Sequence, residues 1–141
     1  MHFRRIHFQD LTDLRVGLVN EICLGELPTD IAHRIGAVHG RRVILSKEFY
    51  QHIRIEHPDQ HHDEIGLIPL ALERGRIMLD MRRDQWLTID YYPKLLDKRC
   101  FLLALKCNRT GNAIYARSWH LLKKRQVAKL PSRGYVFRAH A

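Results

Sequence analysis

The sequence predicts an α+β fold in which N-terminal helices pack on a four- to five-stranded antiparallel β-meander. Three observations predict it. A helix signal runs from Ser46 to His57, the pattern changes after Gly75 to short alternating segments, and turn-rich spacers (RRD, PKLLDK, NRTGN) separate those segments. A chain of 141 residues buries one core and leaves little room for two, so residues 1–141 are read as a single domain.

Within residues 1–35, LTDLRVGLVNEICL places Leu11, Leu14, Leu18 and Ile22 on one helical face, which predicts a helix there. Pro28, Thr29 and Asp30 punctuate the chain. RIGAVHGRRVILS then predicts two short strands about a turn at His39 and Gly40, with β-branched Val43 and Ile44 in the second. Ser46 is a good N-cap, Glu48 suits the helix dipole, and Phe49 and Ile53 share a face, so SKEFYQHIRIEH predicts a helix ended by Pro58. A second helix follows, capped by Asp59 or Asp63, with Ile65, Ile68 and Leu72 as its buried stripe. Gly75 falls just past its end, and Pro69 weakens or kinks it.

RIMLDMR, QWLTIDYY, RCFLLALKC and NAIYARSWH predict the meander. Alternation sets Trp86, Thr88 and Asp90 on one face against Leu87, Ile89 and Tyr91 on the other, and FLLALK is apolar enough to be central. In the last of these strands the same rule sets Tyr115, Arg117 and Trp119 opposite Ala116, Ser118 and His120. A final short strand is predicted near Tyr135 to Phe137. Cys23, Cys100 and Cys107 sit in apolar segments without CxxC spacing and read as core thiols in a reducing cytoplasm. No run reaches membrane-spanning length and the start lacks a signal-peptide pattern, so a cytoplasmic protein without a membrane partner is expected.

Charge is distributed unevenly. Residues 1–75 carry nine Lys/Arg against eleven Asp/Glu, a net of −2, whereas residues 76–141 carry fifteen against four, a net of +11. From Lys98 onward there are eleven basic side chains and no carboxylate side chain, so this part presents positive potential to a polyanion. Aromatic side chains interleave the charge, which suits phosphate contact combined with base stacking and favours RNA. The residues expected to hold it are Arg54, Lys106, Arg109, Tyr115, Trp119, Lys123, Lys124 and Arg125. A basic face directed at an acidic protein is the alternative.

Acid–base chemistry is available in two places: His52, Arg54 and His57 on the Ser46 helix, and Arg117, Ser118 and His120 at the end of the last meander strand. RNA cleavage without a metal needs a base for the 2′-hydroxyl, an acid for the 5′-oxygen and cations for the phosphorane. Histidines, which ordinarily titrate near pH ~6.5, and arginine supply these roles. His52 and His57 stand about 140° apart around a helix and are therefore alternatives rather than partners. HPDQHHDE is dense in metal-ligand types, but Pro58 breaks the helical spacing and no second ligand set follows, so neither a metal nor another cofactor is expected.

VILSKEFYQHIRIEHPD, IPLALERG and NAIYARSWH together resemble segments of the barnase–EndoU–colicin–RelE superfamily of small ribonucleases, in its phage- and mobile-element-associated branches. The likeness rests on an H-I-x-x-x-H-P pattern, here His52, Ile53, His57 and Pro58, followed by the meander. It spans residues 40–120 as a ribonuclease-like core, leaving 1–35 as an N-terminal helical extension and 121–141 as a basic tail. The resemblance implies a metal-independent endoribonuclease of toxin type acting on tRNA or mRNA, with a cognate antitoxin or immunity protein. It assigns catalysis to His52 or His57 with Arg117 and Ser118. A catalytically silent RNA-binding module, or a phage regulatory protein that binds a protein partner, is the competing expectation.

Overall fold

A computed structural model describes residues 2–57, 62–93, 99–129 and 134–139, without the side chains of His62 and Asp63. In chain order the elements are α1 (Phe8–Val16), β1 (Glu21–Glu26), α2 (Thr29–Arg34), β2 (Arg42–Ser46), α3 (Lys47–Glu56), α4 (His62–Ile65), α5 (Ile68–Arg74), β3 (Arg76–Asp80), β4 (Trp86–Tyr91), β5 (Phe101–Cys107), β6 (Ile114–Leu121), α6 (Lys124–Lys129) and β7 (Gly134–Arg138). The strands form one seven-stranded sheet in the order β1-β2-β6-β5-β4-β3-β7. The α+β class holds and β3 to β6 form the expected meander, but the sheet is larger and mixed. β1 and β2 extend it beyond β6, β7 extends it beyond β3, and β2 runs parallel to β6.

The first discrepancy lies at residues 17–26. Gly17, at φ 82°, ends α1 in the left-handed conformation that glycine adopts without a Cβ penalty, so the helix stops before Leu18. Leu18 is then 75 % exposed, while Ile22 and Leu24 enter the core from β1 with period two. Residues 1–35 therefore contribute a strand as well as helices. Cys23 lies on the outward phase of that strand and is exposed, unlike the expected core thiol, whereas Cys100 and Cys107 are buried. Burial pushes the Cys100 thiol up to about 11.

Between α2 and β2 only Arg42–Ser46 forms a strand, so the expected two-strand turn at His39 and Gly40 is a loop leading into β2. Thr29 and Asp30, expected as punctuation, open α2. Ser46 caps α3 as predicted, its Oγ accepting from the Phe49 amide at 3.1 Å. Pro69 falls in the first turn of α5, where its missing N–H would have had no helical partner, so it starts that helix rather than kinking it. Asp59 lies outside the described residues, and Asp63 falls inside α4.

One face of the sheet carries the main core. Leu87, Ile89 and Tyr91 point into it with Phe101, Leu103 and Leu105 of the central β5, and α3 adds Phe49, Tyr50 and Ile53. On the opposite face Cys100, Leu102 and Leu122 form a smaller cluster against Tyr92 and Val127 of α6. The segment expected as a basic tail is thus part of the fold: α6 packs on the second face and β7 pairs with β3. Arg138 at the end of β7 donates to the carbonyls of Leu72 and Gly75, satisfying the C-terminus of α5.

Candidate functional site

α3 packs against β6, and their seam carries the acid–base residues. The local cause is a β-bulge. Ala104 pairs with Ser118 and Leu105 with Ala116, so Arg117 is an extra residue without an opposite number on β5. The bulge breaks the alternation expected for β6. Ala116 and Trp119 both face the core, and Arg117 is exposed at the seam. Trp119 is completely buried and stacked on Phe101 at 4.9 Å between ring centroids, so it offers no face to a nucleobase. The expectation that it binds nucleic acid fails for that reason.

The seam holds two separate cavities. The first, about 250 Å³, is lined by Ser46, Glu48, Phe49, His52, Tyr115, Ala116 and Arg117. Glu48 and His52 lie four residues apart on α3 and so share a face, one turn apart. Tyr115 donates its hydroxyl to the Glu21 carboxylate, and this hydrogen bond, with burial, raises its pKa above the ordinary phenol value. The cleft therefore brings together a carboxylate, an imidazole, a guanidinium and hydroxyls within a partly enclosed volume.

The second cavity, about 420 Å³, is lined by His57, Glu64, His120, Leu121, Leu122, Lys123 and Gln126. His57 is the C-cap of α3, past the last helical residue, and its ring stacks on that of His120 with centroids 5.8 Å apart and planes inclined by 11°. His52 and His57 thus line different cavities, His52 from within α3 and His57 from the non-helical cap beyond its last turn. Arg117 joins His52, and His120 joins His57. Ser118 lines neither cavity; it sits on the sheet face opposite Ala104.

No protein-family model matches the chain, and no curated protein or solved structure matches it either. The site therefore stands on its own chemistry. Among the expected RNA-binding residues, Lys106 and Arg109 line a groove that continues from the first cleft past Arg117 and Tyr115. Arg54 is exposed on α3 with its guanidinium 5.9 Å from the Tyr50 ring centroid. Lys123 reaches the second cavity, while Lys124 and Arg125 are exposed at the start of α6.

Pro58 to His61 of HPDQHHDE lie outside the described residues, and among those described no group of three or more His, Cys, Asp and Glu is placed to hold a metal. The residue missed by sequence reasoning is Glu48, weighed there only as a favourable charge at a helix start. Its four-residue spacing from His52 was the available signal.

Proposed function

We propose that the chain is a metal-independent endoribonuclease of toxin type that cleaves RNA at the cleft between α3 and β6. The observation that carries this reading is the convergence of Glu48, His52 and Arg117 on one 250 Å³ cleft at the edge of the basic part of the chain. In the proposed reaction Glu48 takes the proton of the ribose 2′-hydroxyl and the freed oxygen attacks the adjacent phosphorus. Arg117 stabilises the phosphorane, and protonated His52 delivers its proton to the departing 5′-oxygen. The products are a 2′,3′-cyclic phosphate and a 5′-hydroxyl end.

Incubation of the purified protein with total RNA and labelled tRNA in EDTA tests this directly. Glu48→Gln, His52→Ala and Arg117→Ala each lower cleavage by about 10²- to 10⁴-fold, the range of a lost acid–base or charge-stabilising group. His57→Ala and His120→Ala, in the other cavity, keep most of it. Intact RNA in the wild-type lane with a retained gel shift replaces the nuclease with an RNA-binding module. Cleavage lost in His57→Ala and His120→Ala, but not in His52→Ala, moves the reaction to the second cavity.

A further inference from the structure

The groove beyond the cleft encloses about 570 Å³, within the range of small-ligand sites, and its own lining residues include Gln85, Lys106, Asn108 and Arg109. Cross-strand pairing sets Trp86, Lys106 and Tyr115 in one row across β4, β5 and β6. The Lys106 ammonium stands 5.7 Å from the Trp86 ring centroid, and the Arg83 guanidinium 5.1 Å from the same ring. An aromatic ring attracts cations electrostatically, so Trp86 holds Lys106 in place at the floor of the groove. Of the two carboxylates in the lining, Glu21 is engaged by Tyr115 and Glu48 belongs to the cleft.

Gln85 has an unusual backbone. Among the described residues it is the non-glycine with positive φ, at 65°, a conformation that costs a side-chain-bearing residue free energy. Its carbonyl accepts from the Cys107 amide at 3.3 Å, fixing it beside β5. Gly36 leaves room for its carboxamide: a Cβ there would lie 2.7 Å from Gln85 Nε2. Glycine would make this turn at lower cost, so the carboxamide itself is what the position supplies, a donor beside an acceptor. Nearby, Asn108 Oδ1 accepts from the amides of Asn112 and Ala113, leaving its Nδ2 hydrogens as the groups it offers.

We infer that this groove is a nucleotide subsite in which Lys106 and Arg109 hold a phosphate of the RNA chain and Gln85 reads the edge of the attached base. The inference rests on the RNA reading of the adjacent cleft and makes the site selective for base identity, not only for negative charge. Phosphate contacts position a strand, and amide side chains discriminate among bases by donor–acceptor pairing.

Binding in the His52→Ala background separates this from cleavage. The probes are fluorescent hexaadenylate, hexacytidylate and hexauridylate, measured by anisotropy at two salt concentrations. The parent distinguishes its best probe from its worst by about five-fold or more, consistent with one amide–base contact. Gln85→Gly brings that ratio below about two-fold while the melting temperature stays level or rises, because the strained φ is relieved. Lys106→Ala and Arg109→Ala weaken all three probes alike, and the double substitution makes the salt dependence shallower by about 0.7 of slope, the value for one single-strand phosphate. Equal binding of the three probes by the parent, or a ratio untouched by Gln85→Gly, overturns the subsite. Selective binding without cleavage by the wild type leaves the subsite standing and removes only the nuclease reading.

Discussion

Arg4 and Asp10 show what a single pair does for the N-terminal layer. The Arg4 guanidinium meets the Asp10 carboxylate through two bonds of 3.1 and 2.7 Å, and the same carboxylate accepts the His7 amide at the start of α1. The Arg4 hydrogen bond holds the Asp10 carboxyl below the usual carboxylate range, against burial acting the other way. A carboxyl whose pKa is lower folded than unfolded contributes stability above the unfolded value, and that contribution is lost as pH falls through the folded value. Asp10→Asn should therefore cost about 1 kcal/mol at pH 7, the scale of a helix-start carboxylate with an exposed ion pair. In urea titrations the gap from wild type should close as pH drops below about 4. A gap that persists at pH 2.5 means that the carboxylate's charge is not its source. Trp119 makes the opposite case. Its sequence setting, between charged residues on an alternating strand, suggested a ligand platform, yet it is fully buried on Phe101. Trp119→Ala should cost about 3–5 kcal/mol, visible as a lower denaturant midpoint, before any effect on RNA is considered.

That misplacement belongs to the element and not to the residue. Alternation groups Leu87, Ile89 and Tyr91 on one face of β4, and that face is the one in the main core; the grouping holds because β4 pairs with β3 and β5 without a register shift. The same rule fails on β6, where one extra residue moves everything beyond it to the other phase, and a bulge leaves no composition signature in IYARSWHL. α3 was legible from its cap and stripe, and β1 was not, because Leu11, Leu14, Leu18 and Ile22 mimic a helical stripe that Gly17 interrupts. The same locality governs the site: Glu48 and His52 are neighbours in sequence, but Arg117 reaches them only through the parallel β2–β6 pairing and the bulge. Deletion of Arg117 tests the bulge as a device. It restores a regular ladder with Ala116 opposite Leu105 and Ser118 opposite Ala104, so the core phase of Trp119 is preserved. The deletion should keep the far-ultraviolet spectrum and a cooperative thermal transition while losing cleavage as fully as Arg117→Ala does. Loss of cooperative unfolding means instead that the bulge is required for the fold.

At the scale of the molecule, the order β1-β2-β6-β5-β4-β3-β7 explains why a chain divided so sharply in charge makes one seam. The acidic first part supplies β1, β2 and α3, the basic second part supplies β3 to β7, and the two meet where β2 lies beside β6. The carboxylate and imidazole of the first cavity, Glu48 and His52, therefore come from one part, and its guanidinium, Arg117, from the other; under the proposed reaction these are the acid–base pair and the phosphate-binding cation. Along β6, Arg117 and His120 are three residues apart, about 10 Å of strand, so a polyanion following the seam from the first cavity reaches the second. There Lys123 lines the cavity, with Lys124 and Arg125 exposed beside it on α6. If RNA takes that path, these three cations release counterions on binding, and the dependence of log affinity on log salt steepens by about 0.7 for each single-strand phosphate engaged. The triple substitution Lys123→Gln, Lys124→Gln and Arg125→Gln should then make the slope shallower by about two units, while cleavage of a substrate too short to leave the first cavity is unchanged. An unchanged slope places the RNA on the Lys106 and Arg109 side alone. The charge of α6 would then have no part in binding RNA, and its contribution would be to cover the second face of the sheet through Val127.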